Sequence, residues 1–379
     1  MIQIAKPYLT KEEADAAAET VLSGWVAQGP KVKEFEQRFA EYTGARHAVA
    51  VSNCTTALHL AMIVAGIGPG DEVICPSMSY IASSNCVRYA GATPVFAEIR
   101  PDDFNLDPDD VRKRITGKTK AVIAVHQIGM PAAIDELKRM CNEHGLKLIE
   151  DAACAAGSSY KGRKIGCHSE IVCFSFHPRK VITTGEGGMI TTSNEELSEK
   201  FRLLRQHAMN AGGYDRHLSG AGVLPEEHTE LGYNYRMTDM QAAIGIRQLE
   251  KLDMIVKERR NIAEFYNRRF EKIEWLKVPV EKEGCISNYQ SYALTLLSGS
   301  PVSRDELISL LGSEGISTRK GIMTAHREKA YSDIMPGISL PVSEHASDNS
   351  ILIPLYYPMG EDEMEQVAVA VEKIFERFQ

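Results

Sequence analysis

At 379 residues the chain is long enough for two domains, each around a sizeable core. Its 44% apolar content and net charge of −8, with no block of Lys and Arg, argue against disorder and against a nucleic-acid partner, which needs a basic face. Met1-Ile2-Gln3-Ile4-Ala5-Lys6-Pro7 lacks the apolar core of a secretory signal, and no apolar run reaches the roughly 18 residues a membrane span needs. The eight cysteines are scattered with no Cys-x-x-Cys pair, so a cytoplasmic protein with reduced thiols is expected. Cys167-His168 could be half of a metal site, but no second pair stands at zinc spacing and no metal is expected.

The first two-thirds alternates short β-branched runs with helical stretches. Val32, Phe35, Phe39 and Tyr42 recur at helical spacing ahead of a first strand, Ala48–Val51. A helix over Thr55–Ala65 leads to Glu72–Pro76 and Pro94–Ile99, then Ala121–His126. A helix over Ile134–His144 precedes Lys147–Asp151, followed by Ile171–Phe176 and Gly188–Thr192. Several of these runs are apolar almost throughout, as strands buried on both faces are, so the pattern predicts an open, mostly parallel sheet of seven strands. In such sheets ligands bind beyond the carboxyl ends of the strands.

Asn210–Glu230, rich in Gly and His, reads as a long loop. Thr238-Asp239-Met240-Gln241 has capping-box spacing and opens a long helix carrying Leu249, Leu252, Ile255, Val256, Ile262, Phe265 and Tyr266. Beyond about Gly284, strands at Tyr292–Leu297 and Ile351–Leu355 and helices at Val302–Gly312 and Glu361–Phe378 indicate a smaller α/β unit. The expected division is a large domain over residues 1–250 and a C-terminal domain over 251–379.

Lys180 lies in Phe174-Ser175-Phe176-His177-Pro178-Arg179-Lys180-Val181-Ile182-Thr183-Thr184-Gly185-Glu186-Gly187-Gly188. It follows a strand end and precedes a glycine-rich turn that lets backbone approach a ligand closely. A lysine amine can form a Schiff base with an aldehyde and carry a proton, although most lysines in turns are surface residues. Asp151 ends an otherwise apolar run, where a lone buried carboxylate is costly; it either caps a helix or holds a cationic partner. Ser52-Asn53-Cys54-Thr55-Thr56, between a strand and a helix, suits a phosphate or a plain N-cap. Tyr80 could stack on a flat ring or simply pack. A lysine for an aldehyde, a carboxylate for a ring nitrogen and hydroxyls for a phosphate are what pyridoxal 5'-phosphate (PLP) requires. Gly66-Ile67-Gly68-Pro69-Gly70-Asp71 follows a helix and lacks Gly-x-Gly-x-x-Gly spacing, so it is no dinucleotide loop.

Together these stretches resemble the DegT/DnrJ/EryC1/StrS family of PLP-dependent aminotransferases of nucleotide-sugar and aminocyclitol pathways. The resemblance runs through Gly24–Pro30, Gly66–Pro76, Gly91-Ala92-Thr93-Pro94, Val125-His126 with Gly129, Ile149–Ala153 and the lysine segment to Gly232-Tyr233-Asn234-Tyr235-Arg236-Met237-Thr238. It implies the fold-type-I, aspartate-aminotransferase-like architecture, with Lys180 as the Schiff-base lysine and Asp151 as the ring-nitrogen partner. Ser175, Thr55 and Thr56 would hold the phosphate, with Tyr80 stacked near the ring. Asn234 would reach the phosphate of a neighbouring subunit, implying a homodimer with shared active sites, and Arg236 would help bind the amino donor. His177 and His326 are added as candidate substrate contacts. His326, Arg319 and Tyr289 lie where members of the family vary.

The chain departs from the family at Cys154, where Gln or His usually stands near the cofactor's hydroxyl, and at Cys54, often Gly. Relatives that replace the lysine by His dehydrate instead; Lys180 speaks against that branch. The activity implied is transfer of an amino group from glutamate, ahead of glutamine, to a nucleotide-linked 4-keto-6-deoxy or 3-keto hexose. A free keto-cyclitol or other keto-sugar is the alternative substrate. A PLP-binding regulatory protein without turnover is the alternative of another class.

Overall fold

The computed structural model describes residues 1–210 and 227–378. The large sheet contains β1 (His47–Val51), β2 (Glu72–Pro76), β3 (Thr93–Ala97), β4 (Thr119–Val125), β5 (Lys147–Asp151), β8 (Ile171–Ser175) and β9 (Gly188–Thr192). The two-residue strands β6 (Ser159–Tyr160) and β7 (Arg163–Lys164) lie between β5 and β8 in the chain. The sheet order is β1-β9-β8-β5-β4-β2-β3; β9 runs antiparallel to both its neighbours and every other pair is parallel. All five residues of β8 and of β9 are buried, which explains why these runs show no apolar–polar alternation.

Helices α1 (Lys11–Leu22), α2 (Pro30–Thr43), α3 (Cys54–Val64), α4 (Ala82–Tyr89), α5 (Pro108–Arg114), α6 (Ile134–Glu143) and α7 (Glu195–Leu204) accompany this sheet. Phe35 and Phe39 of α2 pack with Phe174 and Phe176 on one face, as their helical spacing predicted. Leu58 and Met62 of α3 join Val73 and Ile149 on the other.

The long helix α8 (Asp239–Phe270) begins where its capping box places it: the Thr238 side chain accepts from Gln241 N, and the Gln241 side chain accepts from Thr238 N. Its first half, with Leu249, Leu252, Ile255 and Val256, packs into the core of α2 and β8. Its second half, with Ile262, Tyr266 and Phe270, belongs to the C-terminal core. Residue 250 therefore falls inside one continuous helix that serves both cores.

The C-terminal part adds β10 (Leu276–Lys277), β11 (Cys285–Ile286), β12 (Tyr292–Leu296), β13 (Arg319–Lys320) and β14 (Ser350–Ile353). Four of these form an antiparallel sheet in the order β10-β12-β14-β13, covered by helices Arg304–Ser313 and Glu361–Glu376. The amino terminus joins it too: Ile2 N donates to Gly315 O at 2.8 Å. β11 instead pairs with β6, linking the segment before β12 to the large unit. These two-residue strands were not legible in the sequence, because their pairing is set by tertiary contact. Of the long loop expected over Asn210–Glu230, residues 211–226 lie outside the described residues. No described helix is long and apolar enough to cross a membrane.

Candidate active site

The parallel strands β4, β5 and β8 end at one edge of the sheet, and the residues just at or past those ends line a cleft of about 770 Å³. From the large unit come Asn53, Cys54, Thr55 and Thr56 at the start of α3, Tyr80 and Ser83 around the start of α4, and Asp151, Cys154, Ser175, His177 and Lys180. The C-terminal part closes the opposite wall with Gln290, Ser291, Arg319, Lys320 and Leu352.

Asp151 is buried at the end of β5. Its Oδ2 accepts from Ser83 Oγ at 2.7 Å and its Oδ1 from Ala153 N at 3.1 Å. Both donors are neutral, and no cationic side chain pairs with it among the described residues. Its neighbour Glu150 lies on the adjacent position of the strand and pairs with His126 instead, at 2.8 Å, both fully buried. His126 Nδ1 accepts from Ala132 N at 3.0 Å, so the ring proton sits on Nε2 and is donated to Glu150.

Lys180 follows β8 in a turn closed by its own N–H, which donates to His177 O at 2.8 Å. Its Nζ donates to Cys154 Sγ at 3.2 Å. Burial opposes the ammonium charge, but Cys154, Cys54 and Asp151 act the other way, and the balance holds the amine above its usual range. Cys154 is itself fixed by Asn288 Nδ2, which donates to its carbonyl at 2.8 Å. Burial, and next the Asp151 charge, push the Cys54 thiol well up.

The start of α3 divides its two threonines. Thr56 is spent on the cap: Thr56 N donates to Asn53 Oδ1 at 2.9 Å and Thr56 Oγ1 to Asn53 O at 2.7 Å. Thr55 lines the same cleft beside it, so its hydroxyl is the freer anion donor. Among the described residues Ser175 Oγ, at the end of β8, accepts only from His177 N, at 3.4 Å. A Cβ on Gly188 would come within 2.5 Å of the Asn53 carbonyl carbon. The close approach that Gly188 permits is between β9 and the α3 cap.

Tyr80 is 65% exposed at the cleft. His177 lines it too; burial lowers its imidazole pKa. His326 is not among the lining residues. It is buried, with Ser77 Oγ 2.5 Å from Nδ1 and Glu344 Oε1 3.0 Å from Nε2, and it anchors the segment that carries Tyr80. Asn234 and Arg236 lie together, Arg236 Nε donating to Asn234 Oδ1 at 3.1 Å, in a second groove with Trp25, Glu36 and Arg202. Within one chain, neither lines the cleft of Lys180.

Sequence reasoning passed over Ser83, Gln290, Ser291, Arg179 and Lys320. Ser83 carries no motif signal of its own; only the fold brings it against Asp151, 68 positions away. Arg179 stood in the lysine motif and was legible as an extra cation. Among the described residues no group of three or more His, Cys, Asp or Glu side chains is arranged to hold a metal ion.

The chain matches the family described as the DegT/DnrJ/EryC1/StrS aminotransferase family over residues 7–372. It belongs to that family. It is 37% identical over 372 residues to the spore coat polysaccharide biosynthesis protein SpsC of Bacillus subtilis, covering 97% of this chain and 95% of that protein. Among solved structures, DesV of S. venezuelae, in complex with a ketimine intermediate, superposes with a TM-score of 0.89 at 34% identity, covering 97% of this chain and 95% of DesV. PseC of Helicobacter pylori, an aminotransferase involved in the biosynthesis of pseudoaminic acid, gives 0.92 at 27% identity, covering 99% of each chain. The protein is a PLP-dependent aminotransferase of fold type I. The cleft fits that cofactor on its own terms. A buried carboxylate with only neutral donors needs a cationic N–H, an amine stands in the same cleft, and Ser175 and Thr55 offer hydroxyls beside a helix start.

Proposed function

We propose that this aminotransferase moves an amino group from glutamate to a keto-sugar carried on a nucleoside diphosphate, at the ketone of a 4-keto-6-deoxy or 3-keto hexose. The observation that carries the reading is the cationic mouth of the cleft. Arg179 and Arg319 line it, both exposed, and neither makes an ion pair among the described residues. Lys320 stands beside them, paired only to the exposed Asp305 at 3.2 Å. Uncommitted guanidinium groups suit a diphosphate or a carboxylate. SpsC and PseC, by their names, serve polysaccharide and pseudoaminic acid biosynthesis, which supports a sugar as acceptor.

In this reading Lys180 Nζ would hold the cofactor's aldehyde at rest and, when free, would carry a proton between the reacting substrate carbon and the cofactor's C4′, away from the donor's α-carbon in the first half-reaction and onto the sugar carbon in the second. Asp151 would hold the ring nitrogen, and Ser175, Thr55 and the first turn of α3 would hold the phosphate. When bound, the cofactor supplies an electron sink for the carbanion left by C–H cleavage. The eight free thiols suit a cytoplasmic setting.

We also propose a homodimer in which Asn234 of one chain completes the site of the other. The support is its position away from the Lys180 cleft of its own chain. A closed two-fold arrangement would create two equivalent shared sites. Screening keto-sugar nucleotides for amine transfer by mass spectrometry, with UDP, dTDP and GDP titrated as ligands, tests the substrate. Turnover of a free keto-sugar with no nucleotide binding would replace the nucleotide-linked reading. Mixing Lys180→Ala and Asn234→Ala chains tests the dimer: reassembled heterodimers should recover up to half the wild-type activity. An active monomer would reject it.

A further inference from the structure

We propose that Ser79 and Ser83 form a two-hydroxyl relay that positions the Asp151 carboxylate, making Ser83 a positioning residue for the cofactor's ring nitrogen. The proposal rests on reading Asp151 as the ring-nitrogen partner. Ser83 Oγ lies 2.7 Å from Asp151 Oδ2, and Ser79 Oγ lies 2.8 Å from Ser83 Oγ. Both serines are buried, at 1% and 3% exposure for Ser83 and Ser79.

The direction of the relay follows from valence. An ionised carboxylate only accepts, so the single Ser83 proton goes to Asp151. Ser83 Oγ can then only accept from Ser79, whose proton is committed in turn. Two hydroxyl dipoles in series point at the carboxylate, and each polarises the next. With Ala153 N on Oδ1, one donor holds each carboxylate oxygen. That fixes the plane of the group and leaves its remaining lone pairs for a partner in the cleft.

The relay is mounted rigidly. Asp151 ends β5, and Ser83 sits in the first turn of α4, so both are carried by regular elements. The segment between Ser77 and Ser83 is anchored at its far end by His326, which bonds Ser77 Oγ through Nδ1 and Glu344 through Nε2. Gln127 Nε2 donates to Met78 O beneath it. A misplaced carboxylate is costly in a preorganised site, because its charge must meet the ring nitrogen without reorganisation.

The test is a double-mutant cycle read on the holoenzyme and on cofactor retention. Removing the Ser83 hydroxyl strands a buried carboxylate oxygen, so Ser83→Ala should lower cofactor retention during dialysis by about 5- to 100-fold, with kcat falling in parallel and KM for glutamate little changed. Ser83→Thr keeps the hydroxyl and should restore both. In an Asp151→Asn background, Ser83→Ala should add nothing further, because the residue acts through the carboxylate.

Wild-type retention and kcat in Ser83→Ala would overturn the relay while leaving Asp151 untouched. Equal losses from Ser83→Ala with Asp151 present or replaced would also overturn it, showing that the serine serves the fold. An Asp151→Asn enzyme at wild-type level would overturn the reading on which the relay rests, a result distinguishable because it needs no serine variant. Should Ser83→Ala fail to fold, Ser79→Ala carries the same cycle: a smaller loss of retention, absent in the Asp151→Asn background, is required.

Discussion

At the inner end of the cleft, Asp151 and Ser175 terminate neighbouring parallel strands and are buried, each with hydrogen-bond partners a few positions away or on an adjoining helix. At the mouth, Tyr80, Arg179, Arg319 and Lys320 are exposed and come from a loop, a turn and the edge strand β13. The inner groups are fixed by the sheet, because a buried polar atom in the wrong place costs stability at once. The mouth carries no such penalty. Arg179 is held there at its backbone, Gln290 Nε2 donating to Arg179 O at 2.8 Å, and its guanidinium makes no ion pair among the described residues. On the proposed function the inner end serves the reaction and the mouth recognition, so substitutions in the two should fail in different ways.

The sharpest contrast is expected at Lys180. Lys180→Ala should lose turnover by roughly 10²–10⁴-fold or more, the worth of a positioned acid–base group, while retaining part of its cofactor through the phosphate and ring contacts. Borohydride treatment of wild-type holoenzyme, followed by peptide mapping, should fix the cofactor to the peptide containing Lys180. Label on another lysine would break the assignment.

Next comes Asp151→Asn, which keeps shape and removes charge. Breaking one side of a buried charge pair costs about 3–5 kcal/mol, so kcat should fall by about two to four orders of magnitude. Near-normal turnover would mean that the residue merely caps its turn.

Arg319→Ala and Arg179→Ala should behave otherwise. Loss of a charge-assisted contact to an anionic substrate should raise one substrate's KM by about tenfold with kcat nearly unchanged. Thermal stability should stay within about 0.5 kcal/mol, as for exposed side chains elsewhere. Whether the affected KM is that of glutamate or of the sugar nucleotide tells which anion the mouth receives. A fall in kcat without change in either KM would erase the distinction between mouth and inner end.

The smallest effect is expected at Cys154. Its sulfur accepts from Lys180 at 3.2 Å, a contact that a glutamine oxygen can replace. Cys154→Gln should keep activity within a few-fold and shift the visible absorbance of the holoenzyme. Complete inactivation of a folded Cys154→Ser enzyme would show that the thiol does more than accept.

By itself the sequence determined the elements whose signals are local. Glu72–Pro76, Lys147–Asp151 and Gly188–Thr192 are strands with the bounds their apolar runs predict, and α8 starts at its capping box. Asp151 and Ser175 end strands, Thr55 stands in the first turn of a helix and Lys180 lies in the turn after β8, and the fold brings all four to one cleft because strand ends in a parallel sheet point to one edge. Only the tertiary structure decided what depends on distant pairing. The antiparallel insertion of β9 between β1 and β8 leaves no trace in a fully buried strand. His326 looks like a free imidazole in sequence and is locked between Ser77 and Glu344 in the fold. Asn234 and Arg236 share a motif with the rest of the site yet sit in another groove of the same chain. Ser83 meets Asp151 only because α4 and β5 are carried by the same sheet, and no periodicity records which side chains two such elements bring within 2.7 Å.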